Sequence, residues 1–314
     1  MIRFDKEIKM LKQNNFEKAV NFIRNNGREL EKALLDSALF GGGTEAVMNE
    51  LKKYRNGDGG CGRALEADFR ADESSVLCTT YAFDLMVEAS LPESNPDLAA
   101  AADYLNRHLD SDNLIWRYVE ESEENFPHAP WWTYSRLEQT FNGFIENPRV
   151  KICSYMLRYP RLFDQKTAEK LLEEILAHLN ERQAEASKDE ILCYKSLYEV
   201  PSLDSNIKER LYKSVSAMIE ASVVTDEKAW GEYCLKPIDI IDDPASDFAG
   251  ILPEALSRNI NYEIENQQED GSWKPNWNWA GLYPDAWLDA EREWSAVLTL
   301  NRLRLFDKFD LIEK

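Results

Sequence analysis

Apolar residues return every third or fourth position along almost the whole chain, the spacing that gives a helix one buried stripe. Phe16, Ala19, Val20 and Ile23 mark the first helix, which Gly27 ends. A second covers about Glu29 to Leu39 and stops at Gly41-Gly42-Gly43; Thr44 then N-caps a third that runs through Lys53. Ser74 to Ala89 is the fourth. Asn95-Pro96, a cap followed by proline, opens a fifth through His108, and Tyr134 to Phe141 is a shorter sixth. Asn147-Pro148 repeats the cap-plus-proline start for a seventh that ends near Tyr159-Pro160. Lys166 to Arg182, Lys188 to Glu199 and Asn206 to Ser222 follow, with Glu and Lys on their wet faces. Pro253 to Glu265 and Trp287 to Arg304 complete twelve, and no stretch reads convincingly as a strand.

No Ser/Gly/Pro-rich linker divides these helices, so a single domain over residues 1–314 is expected. Twelve helices in consecutive pairs suit an all-α fold, an α/α toroid of about six helical hairpins with an inner and an outer ring. An open solenoid of the same hairpins is the alternative. Four stretches are too long for hairpin turns: Arg55 to Glu73, Asp110 to Thr133, Val223 to Leu252 and Gln267 to Ala286. They hold every tryptophan except Trp287 and Trp294, and long loops in a compact domain are where sites concentrate.

Composition narrows the function classes. Hydrophobic residues make up 44% of 314, ample for a sizeable core. Acidic residues number 57 against 37 basic ones, a formal net charge of −20, which disfavours nucleic acid and anionic membrane surfaces. No apolar run reaches the roughly 18 residues of a membrane span. The amino terminus, MIRFDKEIKMLKQNNFEKAV, is charged throughout, so a cytoplasmic protein is expected. Five scattered cysteines without a C-x-x-C pair point to neither a disulfide framework nor a zinc site. No oligomeric state is implied.

Gln267, Gly271 and Trp273 form Q-x-x-x-G-x-W, with Asp270 before the glycine. A glutamine amide can bond backbone at a helix end, glycine permits φ > 0, and the indole covers the junction between helices. Arg55 to Gly62 looks like the same turn with Arg55 for Gln and Cys61 for Trp. Asp110 to Trp116 keeps the tryptophan without the glutamine or glycine, and Asp226 to Trp230 keeps an acid and a tryptophan. The motif resembles the repeat signature of the squalene–hopene and oxidosqualene cyclases and is similar to turns in protein prenyltransferase β subunits. That resemblance implies an architectural clasp at Gln267, Gly271 and Trp273, and a central aromatic cavity for an isoprenoid-like or otherwise apolar ligand.

Four constellations are candidates for chemistry. In GGCGRALEADFRADESSVLCTT, from Gly59 to Thr80, Glu66 and Asp68 follow a glycine-rich turn beside Arg63. The segment resembles one in short bacterial prenyltransferase-like and squalene-cyclase-like proteins. The two carboxylates suit acid and base roles or a bound cation; equally, they suit helix caps paired with Arg63 and Arg70. In FPHAPWWTY, His128 lies between two prolines, and Trp131, Trp132 and Tyr134 offer ring faces to a ligand or plug one end of the barrel. In KPIDIIDDPASD, Asp239, Asp242, Asp243 and Asp247 match neither the D-x-D-D of triterpene cyclases nor the Mg²⁺-binding D-D-x-x-D of class I terpene synthases, and a solvated acidic loop accounts for them as well. The fourth set, Trp273, Trp277, Trp279, Tyr283 and Trp287 among asparagines and aspartates, suits a glycan platform or a lid over a polyene.

The resemblance therefore implies acid-initiated cyclisation, with Glu66, Asp68 or Asp247 as proton source and Trp131, Trp132, Trp277 or Trp279 stabilising cations. No resident cofactor is expected, although a diphosphate substrate would bring Mg²⁺. The other readings are a carbohydrate-active (α/α)₆ enzyme with paired carboxylates and a non-catalytic binding or scaffold protein.

Overall fold

The structure, a computed structural model, describes residues 8–313. The first part of the charged amino terminus, residues 1–7, lies outside the described residues. Among the described residues there are thirteen α-helices and no strand, only isolated β-bridges. No helix is long and apolar enough to cross a membrane. The chain divides into two compact units, Met1–Glu50 with Ile219–Lys314 and Leu51–Met218.

The first unit contains α1 (Gln13–Asn26), α2 (Glu29–Leu39), α3 (Thr44–Leu51) up to Glu50, α11 (Pro237–Ile240), α12 (Pro253–Glu265) and α13 (Pro284–Lys308). Helix α1 packs on α2 and α13, and α2 also packs on α13. The ends of the described chain are bonded together. Leu11 N–H donates to Leu311 O at 2.7 Å, and Glu313 N–H to Leu11 O at 2.9 Å. Thr44 is the first residue of its helix instead of its cap. The short α11 falls in a stretch expected to be loop; Pro237 opens it, and Asp239 accepts from Lys236 N–H at 2.9 Å.

The second unit contains α4 (Val76–Glu88), α5 (Pro96–Arg107), α6 (Tyr134–Thr140), α7 (Arg149–Arg158), α8 (Gln165–Glu181), α9 (Lys188–Tyr198) and most of α10 (Ser205–Ser222). Helix α4 packs on α5, and α7 packs on α8 and α9. Side-chain oxygens start several of them: Ser75 caps α4, Asn95 caps α5, Asp164 caps α8 and Ser187 caps α9. Asn147 does not cap α7. It is buried and accepts a hydrogen bond from the Tyr118 hydroxyl instead.

One turn recurs between helices. Gln267 Nε2 donates to Asn15 O and to Gly271 O, both at 2.9 Å, fastening the end of α12 to α1. Gly271 has φ +92°, and a Cβ there would stand 2.6 Å from Lys18 O. Ser272 N–H bonds Asp270 Oδ1 at 3.0 Å, Trp273 N–H bonds Thr299 Oγ1 at 3.0 Å, and the Trp273 indole donates to Glu263 O at 2.9 Å. The turn at Arg55–Cys61 repeats this layout in the second unit. Gly59 has φ +91° with Ala100 O at 2.8 Å from an added Cβ, Arg55 pairs with Asp97, Gly60 N–H bonds Asp58 Oδ1 at 3.1 Å, and Cys61 N–H bonds Thr79 Oγ1 at 3.0 Å. In the partial copy at Asp110–Trp116, Leu114 takes the left-handed position (φ +52°) and the Trp116 indole donates to Leu105 O at 2.7 Å.

A buried charge cluster sits under the first turn. Glu263, 3% exposed, receives Lys236 Nζ at 2.9 Å and Arg302 Nε at 2.8 Å. Burial works to raise its pKa, but Arg302 and Lys236 together outweigh burial and hold the carboxyl below its ordinary value.

Gly271→Ala and Gly59→Ala each lower stability by about 2 kcal/mol or more, because both the left-handed backbone and the close approach resist a Cβ. Gly57→Ala, with open space around it, leaves the stability measured by urea titration within about 0.5 kcal/mol of the parent. Glu263→Gln strands two buried cations and costs about 3–5 kcal/mol at pH 7. Because the folded-state pKa is depressed, that contribution is present above the unfolded carboxylate value and fades as pH falls through the folded one, so urea titrations of parent and variant converge in acid.

Candidate functional site

Two long loops of the second unit meet in front of α4. The first folds back on itself, with Arg63 N–H on Ala71 O at 2.8 Å and Phe69 N–H on Glu66 O at 3.1 Å. It is then stitched to the second: Arg70 N–H donates to Pro127 O at 3.0 Å and Ala129 N–H to Asp68 O at 2.8 Å, which sets Phe69 opposite His128. Leu77 N–H, in the first turn of α4, bonds Tyr118 O at 3.1 Å. Three residues singled out from sequence, Glu66, Asp68 and His128, thus lie in these two joined loops, at 8%, 2% and 3% exposure.

His128 is held by its own loop. Nδ1 stands 2.7 Å from Phe126 O, to which it donates, and Nε2 lies 3.4 Å from Thr133 Oγ1. Arg63 is exposed and is used locally, donating to Asn56 Oδ1 at 3.1 Å and Lys53 O at 3.0 Å.

The tryptophans of this loop divide. Trp131 and Tyr134 are half-buried, whereas Trp132 is buried in an aromatic stack. It lies parallel to Phe141 at 5.2 Å and edge-on to Tyr118 at 5.4 Å, with Phe144 beyond Phe141 at 5.8 Å. The Tyr118 hydroxyl bonds Asn147, which also accepts from Cys193 Sγ at 3.3 Å. Trp132 Nε1 is buried and makes no hydrogen bond.

The acid that burial alters most clearly is one that sequence reasoning passed over. Glu123, 3% exposed, has its carboxyl pushed up to about 7, chiefly by burial and further by Glu120 and Glu73. It accepts from Glu120 N–H at 2.7 Å, which works in the opposite direction. The Cys78 thiol in the first turn of α4 registers this neighbourhood. Burial pushes it up to about 11, hydrogen bonds from the Glu66 backbone and Ser75 oppose the rise, and the Glu66 and Glu123 carboxylates add to it. Glu66 and Glu123 thus both act on the Cys78 thiol, while the carboxylates that raise Glu123 itself are Glu120 and Glu73.

A second polar group lies on α4 and α7. Asp84 accepts Lys151 Nζ at 2.6 Å and the Tyr155 hydroxyl at 2.7 Å. Burial disfavours the Lys151 charge, but Asp84 more than offsets it and keeps the ammonium protonated. With side chains 41% and 20% exposed, Asp84 and Lys151 remain reachable. Asp84 is the one charge inside an otherwise apolar stretch, TTYAFDLM, and that isolation was a signal in the sequence.

Asp247, Trp277 and Trp279 belong to the first unit. Asp247 is exposed, Trp277 half-buried and Trp279 buried. Asp242 and Asp243 face Lys308 Nζ at 3.7 and 3.5 Å, and Asp110 is held down to about 2 by hydrogen bonds from Asn113 and Arg117, so both acidic runs are engaged in local structure. Among the described residues no group of three His, Cys, Asp or Glu side chains is placed to hold a metal ion. No protein-family model matches the chain, and neither a curated protein nor a solved structure matches it.

The raised carboxyl makes a checkable statement. A folded-state pKa near 7 against an unfolded value near 4.5 means that the native protein holds a proton the unfolded chain has lost. Stability therefore falls as pH rises between those values, by about 3 kcal/mol for the full shift. Glu123→Gln removes this term while keeping an acceptor for Glu120 N–H. Its urea midpoint exceeds the parent's at pH 8, and the gap closes by about pH 5.

Proposed function

We propose that the helical hairpins close into an α/α toroid like those of terpenoid cyclases and prenyltransferases, that the protein binds an isoprenoid-like, apolar ligand, and that Glu123 supplies a proton to it. The observation that carries this reading is the Glu123 carboxyl, pushed up to about 7 in the loop that also bears Tyr118, His128 and Trp132. The recurring left-handed turn and the bonded chain ends support the ring.

A carboxylic acid that keeps its proton near neutral pH is the group needed to protonate an alkene. The proton passes from Glu123 to one alkene carbon, the neighbouring carbon becomes cationic, and Glu123 is left as carboxylate. The Trp132 indole and the Tyr118 ring, in the same loop, are suited to lowering the energy of that cation. Loss of a proton from the adjacent carbon to Glu66 or Asp68 restores an alkene, so the overall change is an isomerisation with no net proton consumed. A diphosphate ligand would enter a strongly acidic protein only with Mg²⁺ as its counter-ion.

The test is incubation of the full chain with squalene and with all-trans-geranylgeraniol, followed by gas chromatography and mass spectrometry. A cyclised or isomerised product is expected, reduced by about 10²-fold or more in Glu123→Gln. Unchanged polyprenols, or equal turnover by the variant, sink the reading. Cleavage of an oligosaccharide would favour the carbohydrate-active alternative, and polyprenol binding without turnover would favour a scaffold.

A further inference from the structure

The first unit carries a different aromatic arrangement at the start of α13. Tyr233 and Trp277 stand 6.4 Å apart between ring centroids at 83°, and Trp277 and Trp294 stand 5.3 Å apart at 79°. Successive rings are thus close to perpendicular, so together they make a corner and not a flat stack. Asn276 Nδ2 donates to Glu232 O at 2.8 Å, which fixes the segment bearing Tyr233 beside the one bearing Trp277. Trp294 sits on α13 itself, on the face that also carries half-buried Trp287, Glu291 and Leu298.

The Tyr233 side of this corner faces solvent. Tyr233 is 76% exposed, the largest exposure among the large hydrophobic side chains here, while Trp277 and Trp294 are half-buried. An aromatic ring presents a negative face to whatever enters such a corner, which favours cations over neutral groups of equal size. Acidic residues flank the ring-bearing segments in sequence, with exposed Lys274 three residues before Trp277 as the opposing charge. Glu232 precedes Tyr233, Glu291 lies one helical turn before Trp294, and Asp285 lies in the first turn of α13. Arg292 is paired with Asp289 at 2.7 Å. The whole chain carries −20.

We propose that Tyr233, Trp277 and Trp294 form a binding notch for a quaternary or fully methylated ammonium group. Such a cation has no N–H donors, is weakly hydrated and spreads its charge over methyl groups, so it gains from ring faces without needing hydrogen bonds. Glu291 adds charge complementarity. This site is independent of the proton-donor reading above.

Tryptophan fluorescence and calorimetric titration of the full chain with choline chloride test it, with 3,3-dimethylbutan-1-ol as the neutral probe of the same shape and sodium chloride as the ionic-strength control. Saturable choline binding is expected, roughly tenfold tighter than the neutral alcohol. Trp277→Ala abolishes it, and Tyr233→Ala, a change at an exposed position that spares folding, weakens it severalfold. Glu123→Gln leaves choline binding unchanged, which separates this site from the acid in the second unit. Equal binding of choline and the alcohol, no saturable signal from choline, or full binding by Tyr233→Ala and Trp277→Ala overturns the proposal.

Discussion

The architecture depends on how closely one backbone can approach another at a left-handed glycine. At Gly271 and at Gly59 the missing Cβ lets a turn lie directly against a neighbouring helix, and the rest of each clasp follows from that approach. The side chain four residues earlier reaches the same place on that helix in both cases: Gln267 bonds Asn15 O three residues before Lys18, and Arg55 pairs with Asp97 three residues before Ala100. A threonine hydroxyl on the following helix receives the backbone N–H two residues after each glycine. The capping side chain differs, amide in one and guanidinium in the other, because one meets a carbonyl and the other a carboxylate.

Charge is placed in these units under the same constraint. Glu263 anchors its own helix to Trp273 through its carbonyl and holds Lys236 and Arg302 through its carboxylate, so one residue serves both the turn and the ion cluster. Asp84 likewise binds Lys151 and Tyr155, joining α4 to α7. Glu123 is the opposite case. Burial leaves it among other acids, and a proton does what a cation does for Glu263 and Asp84.

Much of the helical pattern was legible in the residues, since buried stripes, caps and prolines report on local geometry. Glu29–Leu39 and Pro253–Glu265 begin and end where the pattern placed them. The clasp at Gln267–Trp273 was legible for the same reason: left-handed backbone and amide reach are local properties. The four-residue helix at Pro237 is too short to show periodicity. Asn147 looked like a cap because Asn-Pro usually begins helices, but a buried tyrosine hydroxyl from elsewhere in the chain claimed its oxygen. Glu123 stood in a run of acids, EESEEN, that reads as solvated surface, and nothing in the residues alone separates the buried member from its exposed neighbours.

The split first unit bears on synthesis. Helices α1 and α2 pack on α13, which comes after the whole of the second unit, so they wait for it to be made. At ribosomal rates that interval is roughly 10–50 s. The unit from Leu51 to Met218 is continuous and is free to form in the meantime. Until α13 emerges, the apolar stripes of α1 and α2 have only each other, and that hairpin is open to chaperones and to misassociation.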